Sequence, residues 1–115
     1  MAVTGLQEVV VDCHEPARLA GFWADVFGTD PTIRGDDWAY IESPATRTRI
    51  AFQKVPEPKT IKNRVHLDVE VDDIPTETER VVALGATAIG HIVVDDQGPF
   101  QVMRDPEGNE FCLVA

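Results

Sequence analysis

The amino-acid sequence predicts an α+β fold: two βαβββ modules forming a half-open, largely antiparallel barrel with external helices. Three observations carry that expectation. The order strand, helix, three strands occurs twice, with a proline- and lysine-bearing linker at residues 54–63 between the copies. Each copy has one stretch of apolar residues at three- and four-residue spacing, entered through a proline and closed by a glycine. The remaining apolar residues mostly alternate with polar ones, which is the period of a strand. A chain of 115 residues is one domain, with module 1 at residues 5–53, the linker at 54–63 and module 2 at 64–114. Each module would make a four-stranded antiparallel sheet with one helix. Edge to edge, two such sheets would bend into a half-barrel with a concave inner face.

The elements follow in order. Residues 6–13 are valine-rich and read as a strand, with Glu8, Val10 and Asp12 on one face. Pro16 suits the first turn of a helix, although Glu15 is a weaker cap than Asp or Ser. Leu19, Phe22, Trp23, Val26 and Phe27 then form one stripe, more simply core than a ligand box, and Gly28 ends it. Short strands are expected at 32–34, 38–42 and 47–53, with turns at 35–37 and 43–45. Val65, Leu67, Val69 and Val71 alternate strictly with Arg64, His66, Asp68 and Glu70, so the next strand has one apolar and one ionisable face. Asp73 caps the second helix and Pro75 sits in its first turn; Ile74, Val81, Val82 and Leu84 give it a thinner stripe, closed by Gly85. Strands follow at 86–94, bulged where Gly90 interrupts it, at 100–104 and at 110–114. Before the last stands the tight turn Asp105-Pro106-Glu107-Gly108-Asn109.

Composition narrows the function. A net charge of -10 lacks the basic footprint that nucleic acid or an anionic membrane requires. No apolar run spans a bilayer and no basic-then-apolar leader opens the chain, so a cytoplasmic location is expected. Cys13 and Cys112 lie in strand-like stretches and read as free, buried thiols rather than a disulfide framework. The row His66, Asp68 and Glu70 is the most chemically loaded in the chain. Its plain reading is a solvated strand face on which His66 pairs with Asp68.

The repeat and the turn at 105–109 together carry a resemblance. Residues 16–28, Phe52-Gln53, 62–68, 84–87 and the Asp-Pro-Glu-Gly-Asn turn are similar to the glyoxalase-like, glyoxalase/bleomycin-resistance group of the vicinal oxygen chelate superfamily. The resemblance covers nearly the whole chain. It implies a divalent-metal site fed by the first and last strands of each half. Glu8 falls where His66 falls, seven residues before the respective caps Glu15 and Asp73. The implied metal ligands are therefore His66, Glu8, Gln53 and Cys112, with Cys112 standing where those enzymes usually carry Glu. Cysteine tilts such a set toward zinc; Gln53 is a weak, neutral substitute, and a protein without metal is an equal outcome.

Two functions follow as expectations. One is a protein binding a small oxygenated molecule, in the form of a metal-assisted lyase, isomerase or dioxygenase with Asp68 as base or as orienter of a ligand. The other is a non-catalytic, drug-sequestering protein of the bleomycin-resistance kind. Trp38, Tyr40, Arg104 and Glu70 are the expected cavity-lining residues, each with an ordinary alternative as core cap or surface charge. A homodimer is expected, because small sheets leave edges that invite pairing.

Overall fold

A computed structural model describes residues 2–115. The chain divides into two compact units, one ending at Pro58 and the other beginning at Lys59. Each unit is a βαβββ module, and the fold is α+β.

The first unit contains β1 (Glu8–Cys13), α1 (Pro16–Phe27), β2 (Thr32–Arg34), β3 (Trp38–Ile41) and β4 (Arg49–Lys54). The helix occupies the span its stripe predicts. Pro16 starts it, Glu15 makes no side-chain cap, and Gly28 closes it at φ 68°, where a side chain would be strained. Leu19, Phe22, Trp23 and Val26 are buried. Beneath them lie Ala39 and Ile41 of β3 and Ile50 and Phe52 of β4, at most 5% exposed. Trp23 meets Phe22 edge-on and stacks on Phe27, so the aromatic stripe is core. Burial on one face of the sheet leaves the alternate residues Glu8, Trp38, Tyr40 and Arg49 on the other.

The second unit contains β5 (Leu67–Glu70), α2 (Ile74–Leu84), β6 (Thr87–Asp95), β7 (Gly98–Arg104) and β8 (Glu110–Val114). The Asp73 carboxylate accepts from the Thr76 backbone N–H at 3.0 Å and from its hydroxyl, which caps α2. Ile74 and Val81 are buried, whereas Val82 is 44% exposed. The helix-facing residues of the sheet are Val69, Met103, Phe111 and Leu113, all buried. The expected bulge is present in β6: Gly90 adopts φ 66° and the register with β7 slips between Ile89 and Val93.

Strand order is β1-β4-β3-β2 in one sheet and β5-β8-β7-β6 in the other. The sheets are mixed rather than antiparallel throughout. β1 lies parallel to β4, and β5 parallel to β8, while the other pairings are antiparallel. Strand parity requires this: the helix returns the chain so that β2 runs with β1, β3 reverses, and β4 again runs with β1. Five strand starts also differ from expectation, β6 beginning one residue later at Thr87 and β7 two residues earlier at Gly98. β1 begins at Glu8, leaving Leu6 73% exposed. β4 begins at Arg49, because the turn at 43–47 continues through Arg47 at φ 61°. β5 begins at Leu67, where Phe111 becomes its first partner, so Val65 lies outside the strand and is 75% exposed.

Candidate functional site

In the second unit, β5 places Asp68 directly beside Cys112 of β8, and Val102 of β7 faces Cys112 from the other side. His66, two residues before Asp68, returns to the same face. His66 Nε2 stands 3.3 Å from Asp68 Oδ1. One ligand atom each from His66, Asp68 and Cys112 falls within 4.8 Å of the others. An imidazole, a carboxylate and a thiol form a donor set suited to zinc-like ions. The nitrogen–oxygen spacing matches the about 3.4 Å that two such donors keep around tetrahedral zinc. The residues therefore fit a divalent ion. Against this, burial pushes the Cys112 thiol above its ordinary range; the Asp68 charge adds to that rise and Lys62 partly offsets it.

The segment entering β5 is tied to β8. Asn63 Nδ2 donates to the Glu110 carbonyl at 2.8 Å, the Asn63 backbone N–H donates to the Glu110 carboxylate at 3.3 Å, and Lys59 pairs with that carboxylate at 3.1 Å. Burial pushes the Glu110 carboxyl up, but the hydrogen bonds from Lys59 and Asn63 and the Lys59 charge outweigh it and hold the group below its usual range. This tie sits three residues before His66 and fixes where the chain turns onto the sheet. Glu70 lies beside Val114 and is exposed; Arg104 lies beside Glu110 and is also exposed.

In the first unit, the face opposite α1 carries Glu8, Trp38, Tyr40 and Gln53. The structure adds two residues that sequence reasoning did not single out, Arg34 and Arg49. Arg49 lies beside Glu8 in register, 3.9 Å from its carboxylate, and 3.3 Å from Glu42. Its guanidinium covers the Tyr40 ring with Cζ 3.9 Å from the centroid. Arg34 donates to the Tyr40 hydroxyl at 3.5 Å. That bond is the chief reason the Tyr40 phenol is held below its ordinary range. A bond from Thr32 and the charges of Arg34 and Arg49 act in the same direction, and burial opposes them. No spacing rule brings Arg34 and Arg49 to one ring; the signal lies in cross-strand register alone.

The register also sets Gln53 apart from Glu8. Counted from the helix caps, Glu8 matches His66 and Val10 matches Asp68. Val10 pairs with Ala51, as Asp68 pairs with Cys112. Ala51, not Gln53, thus occupies the place in the first module that Cys112 has in the second. Gln53 faces Asp12, four residues along the strand from Arg49, the partner of Glu8. That is roughly 13 Å, too far for Gln53 and Glu8 to share one ion.

Among the described residues no helix is long and apolar enough to cross a membrane. None of the curated proteins compared is detectably similar in sequence. Solved structures are similar. A glyoxalase/bleomycin resistance protein/dioxygenase family enzyme from Burkholderia phytofirmans superposes with TM-score 0.79 at 21% identity, covering 96% of this chain and 97% of that one. The bleomycin-binding protein of Streptomyces verticillus, solved with copper(II)-bleomycin, gives 0.68 at 19% identity and covers 98% of each chain. The oxidase ChaP-H2 gives 0.74 at 22% identity over 100% of this chain and 94% of that one. At these identities the likeness is one of fold. The sequence profile of the glyoxalase-like domain matches residues 8–114. With two βαβββ modules and that match across nearly its whole length, the chain belongs to the glyoxalase-like family of the vicinal oxygen chelate group.

Proposed function

We propose that the chain binds a small oxygenated molecule at a divalent metal held by His66, Asp68 and Cys112. The observation supporting this is the convergence of those three donors within 4.8 Å on a single module. When bound, an ion of the zinc type polarises a ligand oxygen as a Lewis acid, the chemistry that a lyase, isomerase or dioxygenase would draw on. His66 offers its imidazole nitrogen. Asp68 offers an oxygen and, when not ligating, a nearby base for a proton. Cys112 must lose its proton to ligate, and its burial and Asp68 oppose that loss, so the affinity is moderate and rises with pH. Zinc titration by calorimetry tests the reading. His66→Ala should abolish binding and Cys112→Glu should strengthen it, because a carboxylate ionises without that cost. Tight zinc binding that survives His66→Ala would show the ligand set to be wrong.

One observation favours a second reading, sequestration of a drug-like molecule without catalysis. Ala51 offers no donor where the second module offers Cys112. A similar fold holds copper(II)-bleomycin, and the acidic chain suits a cationic guest. Uptake of bleomycin by zinc-free protein distinguishes this reading from the first. In either case we read the protein as a cytoplasmic homodimer. Supporting this, β6 ends its sheet with Ile92, Val93 and Val94 between 37% and 74% exposed. Light scattering that gives a monomer mass would remove the dimer.

A further inference from the structure

The first unit presents an aromatic and cationic surface that the metal reading does not use. Trp38 and Tyr40 lie two residues apart on β3, half-buried, on the sheet face away from α1. Arg34 sits beside Trp38 in register on β2 and reaches the Tyr40 hydroxyl. Arg49 covers the Tyr40 ring from β4. The two arginines differ in one respect. Arg49 is matched by Glu42 and Glu8, whereas Arg34 meets no carboxylate among the described residues and has the phenol oxygen as its partner. A guanidinium is a fork of five donors, and one neutral hydroxyl at 3.5 Å leaves most of that capacity unused.

We propose that this face is a subsite for a planar anion, an aromatic carboxylate or an acidic phenol, with Arg34 taking the charge and Trp38 and Tyr40 the ring. The physical grounds are threefold. Charge-assisted bonds from Arg to a carboxylate are stronger than its bond to a neutral phenol. Arg49 is already fixed by two carboxylates, so it stiffens Tyr40 without competing for the ligand. A face contact with Trp38 and an edge contact with Tyr40, whose ring face Arg49 covers, favour a flat guest over an aliphatic one. This assignment deepens the small-molecule reading above by naming the ligand class, and it rests on that reading only in taking the ligand to be small.

The chain contains a single tyrosine, so the ultraviolet absorbance of tyrosinate reports Tyr40 alone. The charged groups facing it are Arg34 on β2, Arg49 on β4, Glu8 on β1 and Glu42 just after β3. An anion at Arg34 takes over its donors and adds negative charge, both of which disfavour phenolate. Benzoate should therefore move the Tyr40 titration to higher pH than chloride does at equal ionic strength. Benzamide, which is flat but neutral, should leave it in place. Arg34→Gln, an exposed change that spares the core, should weaken benzoate binding at least about tenfold and should itself raise the titration. Acetate should act more weakly than benzoate. The proposal is overturned if benzoate and benzamide act alike, if neither moves the titration, or if Arg34→Gln binds benzoate as the parent does. Zinc titration reads the second unit and the tyrosine titration reads the first, so failure here is distinguishable from failure of the metal site.

Discussion

Replacing Asp105 by alanine should cost the fold about 3 kcal/mol. Asp105 is 4% exposed at the start of the turn before β8. Its Oδ1 accepts from the backbone N–H groups of Glu107 at 2.9 Å and Asn109 at 3.0 Å, and its Oδ2 accepts from the Asn109 side chain at 3.1 Å. The backbone pair from Asp105 N to Asn109 O, 2.9 Å, closes the same turn. Alanine leaves three donors without an acceptor. A donor stranded on folding costs about 1–3 kcal/mol. Glu107 and Asn109 are half-buried and partly reached by water, which sets the lower end of that range for each. With a urea slope of about 2 kcal/mol per molar, the midpoint should fall by about 1.5 M. Asp105→Asn keeps one acceptor oxygen, and Asn109 can rotate its amide to meet the new NH2 group, so about 1 kcal/mol should be lost. Urea unfolding followed by circular dichroism measures both. An alanine variant within about 0.5 kcal/mol of the parent, or an asparagine variant as damaged as the alanine one, would refute the reasoning.

Three further outcomes are expected. Zinc affinity should keep climbing through mildly alkaline pH, because the Cys112 thiol titrates above its ordinary range; a flat calorimetric profile there would remove sulfur from the ligand set. Glu110 has a folded-state carboxyl held below its usual range, so its stabilising share is present above the ordinary Glu value of about 4.3 and is lost as pH falls through the lower folded one. Glu110→Gln should flatten that part of the acid unfolding curve, and parallel curves for parent and variant would contradict the Lys59–Asn63 tie. Leu19→Ala, at a side chain of α1 with no exposure, should lower stability by about 3 kcal/mol, read from the urea midpoint.

What the sequence disclosed was local in origin. The bounds of α1 followed from Pro16, Gly28 and a dense apolar stripe, all of which act within one helix length. The bulge at Gly90 was legible because a glycine interrupts the strand pattern. What stayed hidden depended on distant partners. Alternation runs unbroken from Arg64 to Val71, yet the strand begins only where β8 offers Phe111 to Leu67. His66 and Asp68 shared a face as the period-2 pattern requires, but Cys112 arrived beside Asp68 through the parallel pairing of β5 with β8, bordered by the Asn63–Glu110 tie. In the first module the resemblance pointed to Gln53, whereas the pairing of β1 with β4 sets Ala51 opposite Val10, two residues away. The Arg34–Tyr40–Arg49 stack joins three strands and had no sequence signature at all.

The two modules share a backbone plan and carry opposite chemistry on it. The register equates Glu8 with His66, Ala51 with Cys112, Arg49 with Glu110 and Glu42 with Arg104. At the last two positions the charges are reversed. In the first module an arginine is held between two glutamates and laid on a tyrosine ring; in the second a glutamate is held by a lysine and an asparagine. Consequently Glu8, the nearest counterpart of a metal ligand in the first module, already has a cation beside it and no donor at Ala51 to join it. The second module offers three donors and little cationic cover over them. Duplication of one βαβββ plan therefore gives a half suited to anions and a half suited to cations. In a chain with net charge -10, the first suits an anion only because Arg34 is placed where, among the described residues, no carboxylate reaches it.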